Sequence, residues 1–206
     1  MTNELMRDIT RLLSIADLGL LYHNNEFDKE RYEELRAISL RLLSSVSEHT
    51  ADELQERIPI AKDYPTVKVD IRGLVLSPDK KILLVKESTD GKWSLPGGWA
   101  DVGYSAKETI IKEIKEETGL DTEVKHLLAV FDKHKHDHPA EPYYVFKLAF
   151  YCDALSTTLQ KGFDVLDIGY FGINELPELS TNRILKTQLE LLYNKVLQQN
   201  FEPYID

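Results

Sequence analysis

Glu113, Glu116 and Glu117 are spaced i, i+3, i+4, and in a helix that spacing puts all three carboxylates on one side. The flanking residues predict such a helix. Ser105 with Glu108 forms a capping box, in which hydroxyl and carboxylate each satisfy an orphan amide, and Gly119 is a natural stop. The helix is therefore expected from about Ala106 to Thr118. At roughly 100° per residue, Ile110, Ile111 and Ile114 share one arc and the three glutamates share the next. Like charges this close repel, and a cation between them removes that cost; hard oxygen donors suit Mg²⁺ or Mn²⁺. Taken alone, the helix also fits a solvated acidic face balanced by Lys112 and Lys115.

The segment before it narrows the choice. Leu95-Pro96-Gly97-Gly98-Trp99-Ala100-Asp101-Val102-Gly103-Tyr104 is rich in glycine and reads as a loop, whose backbone can approach a ligand or metal closely. Loop and helix together resemble the Nudix signature, G-x5-E-x7-R-E-U-x-E-E-x-G-U with U a large aliphatic residue. Gly98, Glu113, Ile114, Glu116, Glu117, Gly119 and Leu120 match it. Two positions depart: Tyr104 stands where the family has its first glutamate, and Lys112 where it has arginine. That pair usually braces the loop against the helix, so the bracing is expected to differ here, with a Tyr104–Lys112 contact as its substitute.

The resemblance implies a metal site in which Glu113 and Glu117 are the principal ligands, helped by Glu116 and the main-chain carbonyl of Gly97. It also suggests a further carboxylate near Gly169-Tyr170-Phe171, for which Asp164 is the candidate; a surface turn is the alternative. Arg72 is placed either on a substrate diphosphate or in a structural ion pair. Trp99 is a candidate to stack on a base, and Trp93 belongs to the core. The run Lys133-His134-Lys135-His136-Asp137-His138 allows a metal site, a solvated turn, or a loop over the active site; on the last reading His136 meets substrate phosphates.

The elements that must position these residues fall into two stretches. Leu5, Ile9, Leu12, Leu13, Ala16 and Leu20 recur at helical spacing, as do Tyr32, Leu35, Ile38, Leu42 and Val46. Asn24-Asn25 separates them, Asp28 is the expected N-cap of the second helix, and a short third helix is expected from Asp52 to Arg57. After Pro59 and Pro65 the pattern turns to strands: Val67 to Leu76, Lys81 to Lys86, Val124 to Asp132 and Tyr143 to Asp153. Helical spacing returns from Thr187 to Gln198. The expected organisation is a helical hairpin domain over residues 1–60, a linker over 61–66, and an α/β (α+β) domain over 67–206. The resemblance makes that domain a Nudix α/β/α sandwich with a mixed sheet. It also extends to a subfamily with such a hairpin before Tyr64-Pro65 and Val69-Asp70-Ile71-Arg72-Gly73, described as acting on ADP-ribose or on CDP-alcohols such as CDP-choline.

Composition bounds the rest. The chain has 206 residues and a formal charge of −10, which disfavours a general nucleic-acid binder. No apolar run is long enough to cross a membrane, the amino terminus does not look like a secretory signal, and Cys152 is the only cysteine; together these fit a cytoplasmic protein. Leu5, Leu12, Leu20, Leu35 and Leu42 carry more apolar surface than two short helices bury between them, which points to a homodimer. The expected reaction is metal-dependent hydrolysis of a diphosphate bridge, with a small nucleotide substrate and with Glu116 or Glu117 orienting or deprotonating the water. The alternatives are action on RNA ends, as a nuclease or decapping-type hydrolase, and a nucleotide sensor that kept the fold without catalysis.

Overall fold

The computed structural model describes residues 2–139, 141 and 143–206. The chain divides into two compact units, one of residues 1–68 with 139–144 and one of residues 69–138 with 145–206.

The first unit is built on α1 (Thr2–Tyr22), α2 (Glu26–Val46) and α3 (Ala51–Arg57). Met6, Ile9, Leu13, Leu40, Leu43 and Leu54 form its core. Asn25, not Asp28, caps α2: its side chain accepts from the Asp28 amide at 2.9 Å, so the helix begins before the position expected from Asp28. Both Asn25 and Asp28 are good capping types, and only the backbone geometry at Asn25 decides between them. Thr50 and Glu53 close a capping box on α3. Inside the unit, Arg36 Nε donates to Asp17 at 2.8 Å with both side chains buried, and the Arg36 guanidinium also reaches the Ile58 carbonyl. Leu5, Leu12, Ile15, Ile38 and Leu42 remain exposed on the two long helices.

The second unit carries a five-stranded sheet and a three-stranded sheet. Its strands are β1 (Lys68–Val75), β2 (Ile82–Glu87), β3 (Trp93–Ser94), β4 (Gly97–Trp99), β5 (Thr122–Asp132), β6 (Val145–Ala154), β7 (Val165–Phe171) and β8 (Tyr204–Ile205). The orders are β4-β1-β6-β5-β8 and β3-β2-β7. β5 pairs antiparallel with β6 and parallel with β8, so the larger sheet is mixed.

The period-two alternation of β1 sorts its side chains to two faces. Ile71 and Val75 join Ile110 and Ile114 of helix α4 (Ala106–Thr118) in one core. Gly73 lies between them, where a Cβ would come within 2.8 Å of Ile114. On the other face, Leu74 joins Leu95, Phe131, Leu189 and Leu192, the last two from helix α5 (Lys186–Leu197). Helices thus cover both faces, as the expected α/β/α sandwich requires. One expectation is corrected: the glycine-rich segment is not wholly a loop. Gly97–Trp99 is strand β4, paired antiparallel with β1 at Arg72↔Gly97, Ile71↔Gly98 and Asp70↔Trp99. Glycine conceals the strand because it has no side chain with which to show alternation.

The α5-side face of β1 also holds a buried ion network. Arg72 Nε donates to Asp70 at 3.0 Å, and Lys147 of β6 pairs with the same carboxylate. Burial alone would raise the Asp70 carboxyl; Arg72 and Lys147 overturn that and hold it at about 2. Because its folded pKa is depressed, Asp70 contributes stability present above about pH 4 and lost as pH falls towards 2. Removing this carboxylate leaves two buried cations without their shared partner. Asp70→Asn is therefore expected to lose about 3–5 kcal/mol in urea unfolding near pH 7 and to lack much of the acid-side decline. A loss below about 1 kcal/mol, the range of an exposed pair, would contradict a buried structural role.

Candidate active site

Gly97 and Gly98 bring the β4 backbone against α4. Gly97 has φ of 136°, a region that L side chains rarely adopt, and a Cβ there would collide with the Ile71 carbonyl. Its amide donates to Glu117 Oε2 at 2.9 Å. At Gly98 a Cβ would stand 3.1 Å from Glu113 Oε1 and 3.2 Å from Oε2, so the missing side chain leaves the space beside that carboxylate open. Each glycine thus serves one glutamate.

The three glutamates have different surroundings. Glu117 is only 4% exposed. Burial raises its carboxyl to about 8, against the pull of Arg72 and the Gly97 amide, with Glu87 and Glu113 adding to the rise. Glu113 is half-buried and also raised: burial comes first, Lys112 opposes it, and Glu116 and Asp164 add to it. Glu116 is exposed and lies 3.1 Å from Lys112 Nζ. Among the described residues, no three histidine, cysteine or acidic side chains already stand together as a metal-holding group. The donor set still fits a cation. Two neighbouring carboxyls are both shifted towards the proton-bearing form, by burial first and then by nearby acids (Glu87 and Glu113 for Glu117, Glu116 and Asp164 for Glu113), which is the condition that a bound divalent ion relieves.

The brace between loop and helix is rebuilt. Lys112 Nζ lies 5.8 Å from the Tyr104 ring centroid, within cation–π range, but its ionic partner across the loop is Asp101 at 3.5 Å. The acid has moved along the loop, and the sequence reading missed it because it looked only at the family position. Beyond the helix, Gly119 takes a left-handed cap with φ of 75°. The amides of Gln160 and Gly162 then donate to the Thr118 and Glu117 carbonyls at 2.8 and 3.0 Å. Gly162 sits where a Cβ would strike the Glu116 carbonyl. This strap brings exposed Asp164 within electrostatic reach of Glu113.

The remaining candidates separate. Arg72 is buried and occupied: besides Asp70, its Nη1 reaches Glu87 at 3.5 Å, Ser94 at 3.4 Å and the Leu95 carbonyl at 3.0 Å. These contacts are those expected of the structural ion-pair alternative. Trp99 is 48% exposed on β4. His136 is partly buried, with Nε2 2.8 Å from Asp206 and its ring edge-on to Phe131. Sequence reasoning did not place Asp70, Glu87 or Lys147 near the site. The available signal was Asp70 and Arg72 two residues apart on one strand face.

Comparison with known proteins covers both parts of the chain. Residues 67–191 match the model of the NUDIX domain, and residues 3–58 match that of a UDP-X-like, N-terminal oligomerisation domain. A Bacillus subtilis (strain 168) protein provisionally named as an ADP-ribose pyrophosphatase is 40% identical over 184 residues, covering 89% of this chain and 88% of that one. The structure titled as a UDP-X diphosphatase is 36% identical, covers 100% of this chain and 99% of its own, and gives a TM-score of 0.64. That of an ADP-ribose pyrophosphatase from Streptococcus suis 89-1591 is 38% identical, with a TM-score of 0.62 over 68% of this chain and 100% of that one.

The Glu117 environment has a thermodynamic consequence. Its folded pKa lies above the ordinary value of 4.5, so the metal-free folded chain holds a proton that the unfolded chain gives up between about pH 4.5 and 8. Stability of metal-free protein should therefore fall as pH rises through that window. Glu117→Gln, which keeps an acceptor for the Gly97 amide without the charge, should be more stable than wild type at pH 8 by on the order of 1–3 kcal/mol. The check is denaturant unfolding of both proteins in chelator. Equal stability at pH 8 would contradict the buried placement of this carboxyl.

Proposed function

This chain belongs to the Nudix hydrolase family, and from that premise we propose that it hydrolyses the diphosphate bridge of a nucleoside diphosphate linked to a second group. The products are a nucleoside monophosphate and the phosphorylated second group. The observation that carries the proposal is the seating of Glu117 on the Gly97 amide with Glu113 beside Gly98, a paired carboxylate site at the start of β4.

On this reading Glu113 and Glu117 hold Mg²⁺ or Mn²⁺, assisted by Glu116, the Gly97 carbonyl and Asp164. A divalent ion bound there supplies neutralisation of the bridging oxygens and a positioned water. The chain's own groups do the rest. The water oxygen forms a new P–O bond as the bridging P–O bond breaks, and its proton passes to a carboxylate. Glu116 is the exposed member of the three and is suited to take that proton, while Glu117 orients the water. The Asp101–Lys112 pair keeps the loop against the helix during the step. Trp99, half exposed on the adjoining strand, is offered as a stacking surface for the base, and His136 as a polar contact.

The relatives are named for ADP-ribose and UDP-X, and the sequence resemblance adds CDP-alcohols such as CDP-choline; these define the panel to test. The acidic charge weighs against RNA ends as substrates. We also infer a homodimer through the hairpin, whose leucine-rich face stays exposed in the single chain. Among the described residues no helix is long and apolar enough to cross a membrane, and the buried free thiol of Cys152 is compatible with the cytoplasm.

With Mg²⁺ or Mn²⁺, wild type should release monophosphate from at least one of ADP-ribose, a UDP-sugar and CDP-choline. Glu117→Gln should cut turnover by on the order of 100-fold while remaining folded. No metal-dependent release from any of the three would overturn the reading, and turnover by the variant within about twofold of wild type would remove Glu117 from the metal site. A solution mass of one chain by light scattering would exclude the dimer.

A further inference from the structure

The first unit has a cavity of its own. Its volume is about 590 Å³, and α1, Ile58, residues 64–68, Tyr143 and Tyr144 line it, all of them within that unit. Small-molecule sites run from roughly 300 to 1,000 Å³, so the space suits a ligand of that size. None of Glu113, Glu116 and Glu117 lines it.

The cavity uses a separate face of α1. At about 100° per residue the helix shows three arcs. Met6, Ile9, Leu13 and Ala16 are buried and form the core arc. On one side of it come Asp17, Thr10, Ser14, Arg7 and Arg11, in that order, and these line the cavity. On the other side lie Leu5, Leu12 and Ile15, all exposed. The homodimer inferred through the leucines engages the last arc and does not need the first.

Arg7 and Arg11 stand one helical turn apart, a spacing at which like charges repel and an anion between them is welcome. Arg7 makes only exposed contacts, 3.7 Å to Glu4 and 3.4 Å to Asp8. Arg11 makes no ion pair or hydrogen bond among the described residues. Asp17, the buried acid of the lining, is already neutralised by Arg36 at 2.8 Å. In a chain of formal charge −10, a lining with Arg7, Arg11 and Lys68 against Asp8 and the neutralised Asp17 is a local reversal of sign. Tyr64, Tyr143 and Tyr144 supply an aromatic wall. Tyr143 is fixed in place: its hydroxyl donates to the Arg57 carbonyl at 3.4 Å, and Lys68 Nζ stands 3.6 Å from its ring centroid. Tyr64 is 66% exposed. Guanidinium groups beside exposed aromatic rings suit a ligand that is itself a flat ring carrying an anionic group.

We propose that this cavity is an effector site for a nucleoside monophosphate, with Arg7 and Arg11 on the phosphate and Tyr64 stacked on the base. The inference rests on the reaction proposed above. That reaction releases a nucleoside monophosphate, so the chain makes an aromatic anion of this class at each turnover. The hairpin unit then senses product as well as pairing chains.

Calorimetry on the full-length chain in chelator reads the site apart from catalysis, with AMP, UMP and CMP as probes and unfolding temperature as the folding control. At least one monophosphate should bind wild type, and its nucleoside and inorganic phosphate should each bind at least about tenfold more weakly. Arg11→Met should weaken binding by at least about tenfold, and Tyr64→Ala by about fivefold or more. Both side chains are exposed, so both variants should unfold at the wild-type temperature. Glu117→Gln, in the other unit, should bind within about threefold of wild type. With Mg²⁺ and saturating substrate, the same monophosphate should change kcat of wild type by at least about twofold and should have no effect on kcat of Arg11→Met.

No binding of any monophosphate, equal binding of inorganic phosphate, unchanged binding in Arg11→Met or Tyr64→Ala, or loss of binding in Glu117→Gln would each overturn the proposal. So would an effect on KM alone, the mark of the substrate's own site. A failed nucleotide reading looks different: wild type then shows no metal-dependent hydrolysis across the whole panel, whatever the binding arm reports.

Discussion

The guanidinium of Arg72 is the interaction on which the rest of the second unit depends. It is buried on β1 and joined to Asp70, Glu87, Ser94 and the Leu95 carbonyl, so a single side chain ties together β1, β2, β3 and the start of the glycine-rich segment. Arginine suits this position because its planar fork serves several acceptors in fixed directions, which a lysine ammonium does not. Burial disfavours its charge, but Asp70 and Glu87 outweigh that. The same positive charge lies close enough to Glu117 to oppose the rise of its carboxyl pKa. The fold thus places one permanent cation behind a site whose working groups are acidic.

Seen from that hub, loop and helix are two halves of one device. Arg72 fixes Leu95, β4 pairs with β1 directly opposite Arg72, and Gly97 presents its amide to Glu117. From the other side, the isoleucines of α4 pin the helix to β1 through the gap left by Gly73. The periphery is more tolerant. Replacing the family's glutamate and arginine by Tyr104 and Lys112 does not free the loop, because Asp101 takes up the ionic contact. An exposed pair of this kind is replaceable at little cost, whereas removing one member of the buried network strands the charges of the others.

Much of this was legible in the sequence. The limits of α4 follow from Ser105, Glu108 and Gly119, and the carboxylate cluster follows from helical spacing alone. The hairpin helices and their surplus of exposed leucine were visible for the same reason, since helical periodicity is local. What could not be read depends on partners distant in the chain. β4 has no alternation to reveal it and exists because β1 is there to pair with. The two-residue strand β8 gains its place only beside β5. Arg72 was recognisable as one member of a charged pair, but Glu87, Ser94 and Lys147 are brought to it by the sheet, so the choice between substrate contact and structural hub required the fold. His138 illustrates the same limit: its Nδ1 meets the carbonyl of Thr181 at 2.6 Å, a partner 43 residues away that no motif encodes.

The central claim is that the buried guanidinium seats the carboxylates proposed to hold the metal and is not merely a source of stability. Arg72→Lys tests it most directly, because it keeps the charge and removes the fork. Calorimetric titration of Mn²⁺ into the folded variant and wild type, at the same pH, reads the site without relying on turnover. The account predicts an affinity lower by on the order of 10–100-fold in a protein that still unfolds cooperatively. Wild-type affinity for Mn²⁺ in a folded Arg72→Lys variant would contradict it.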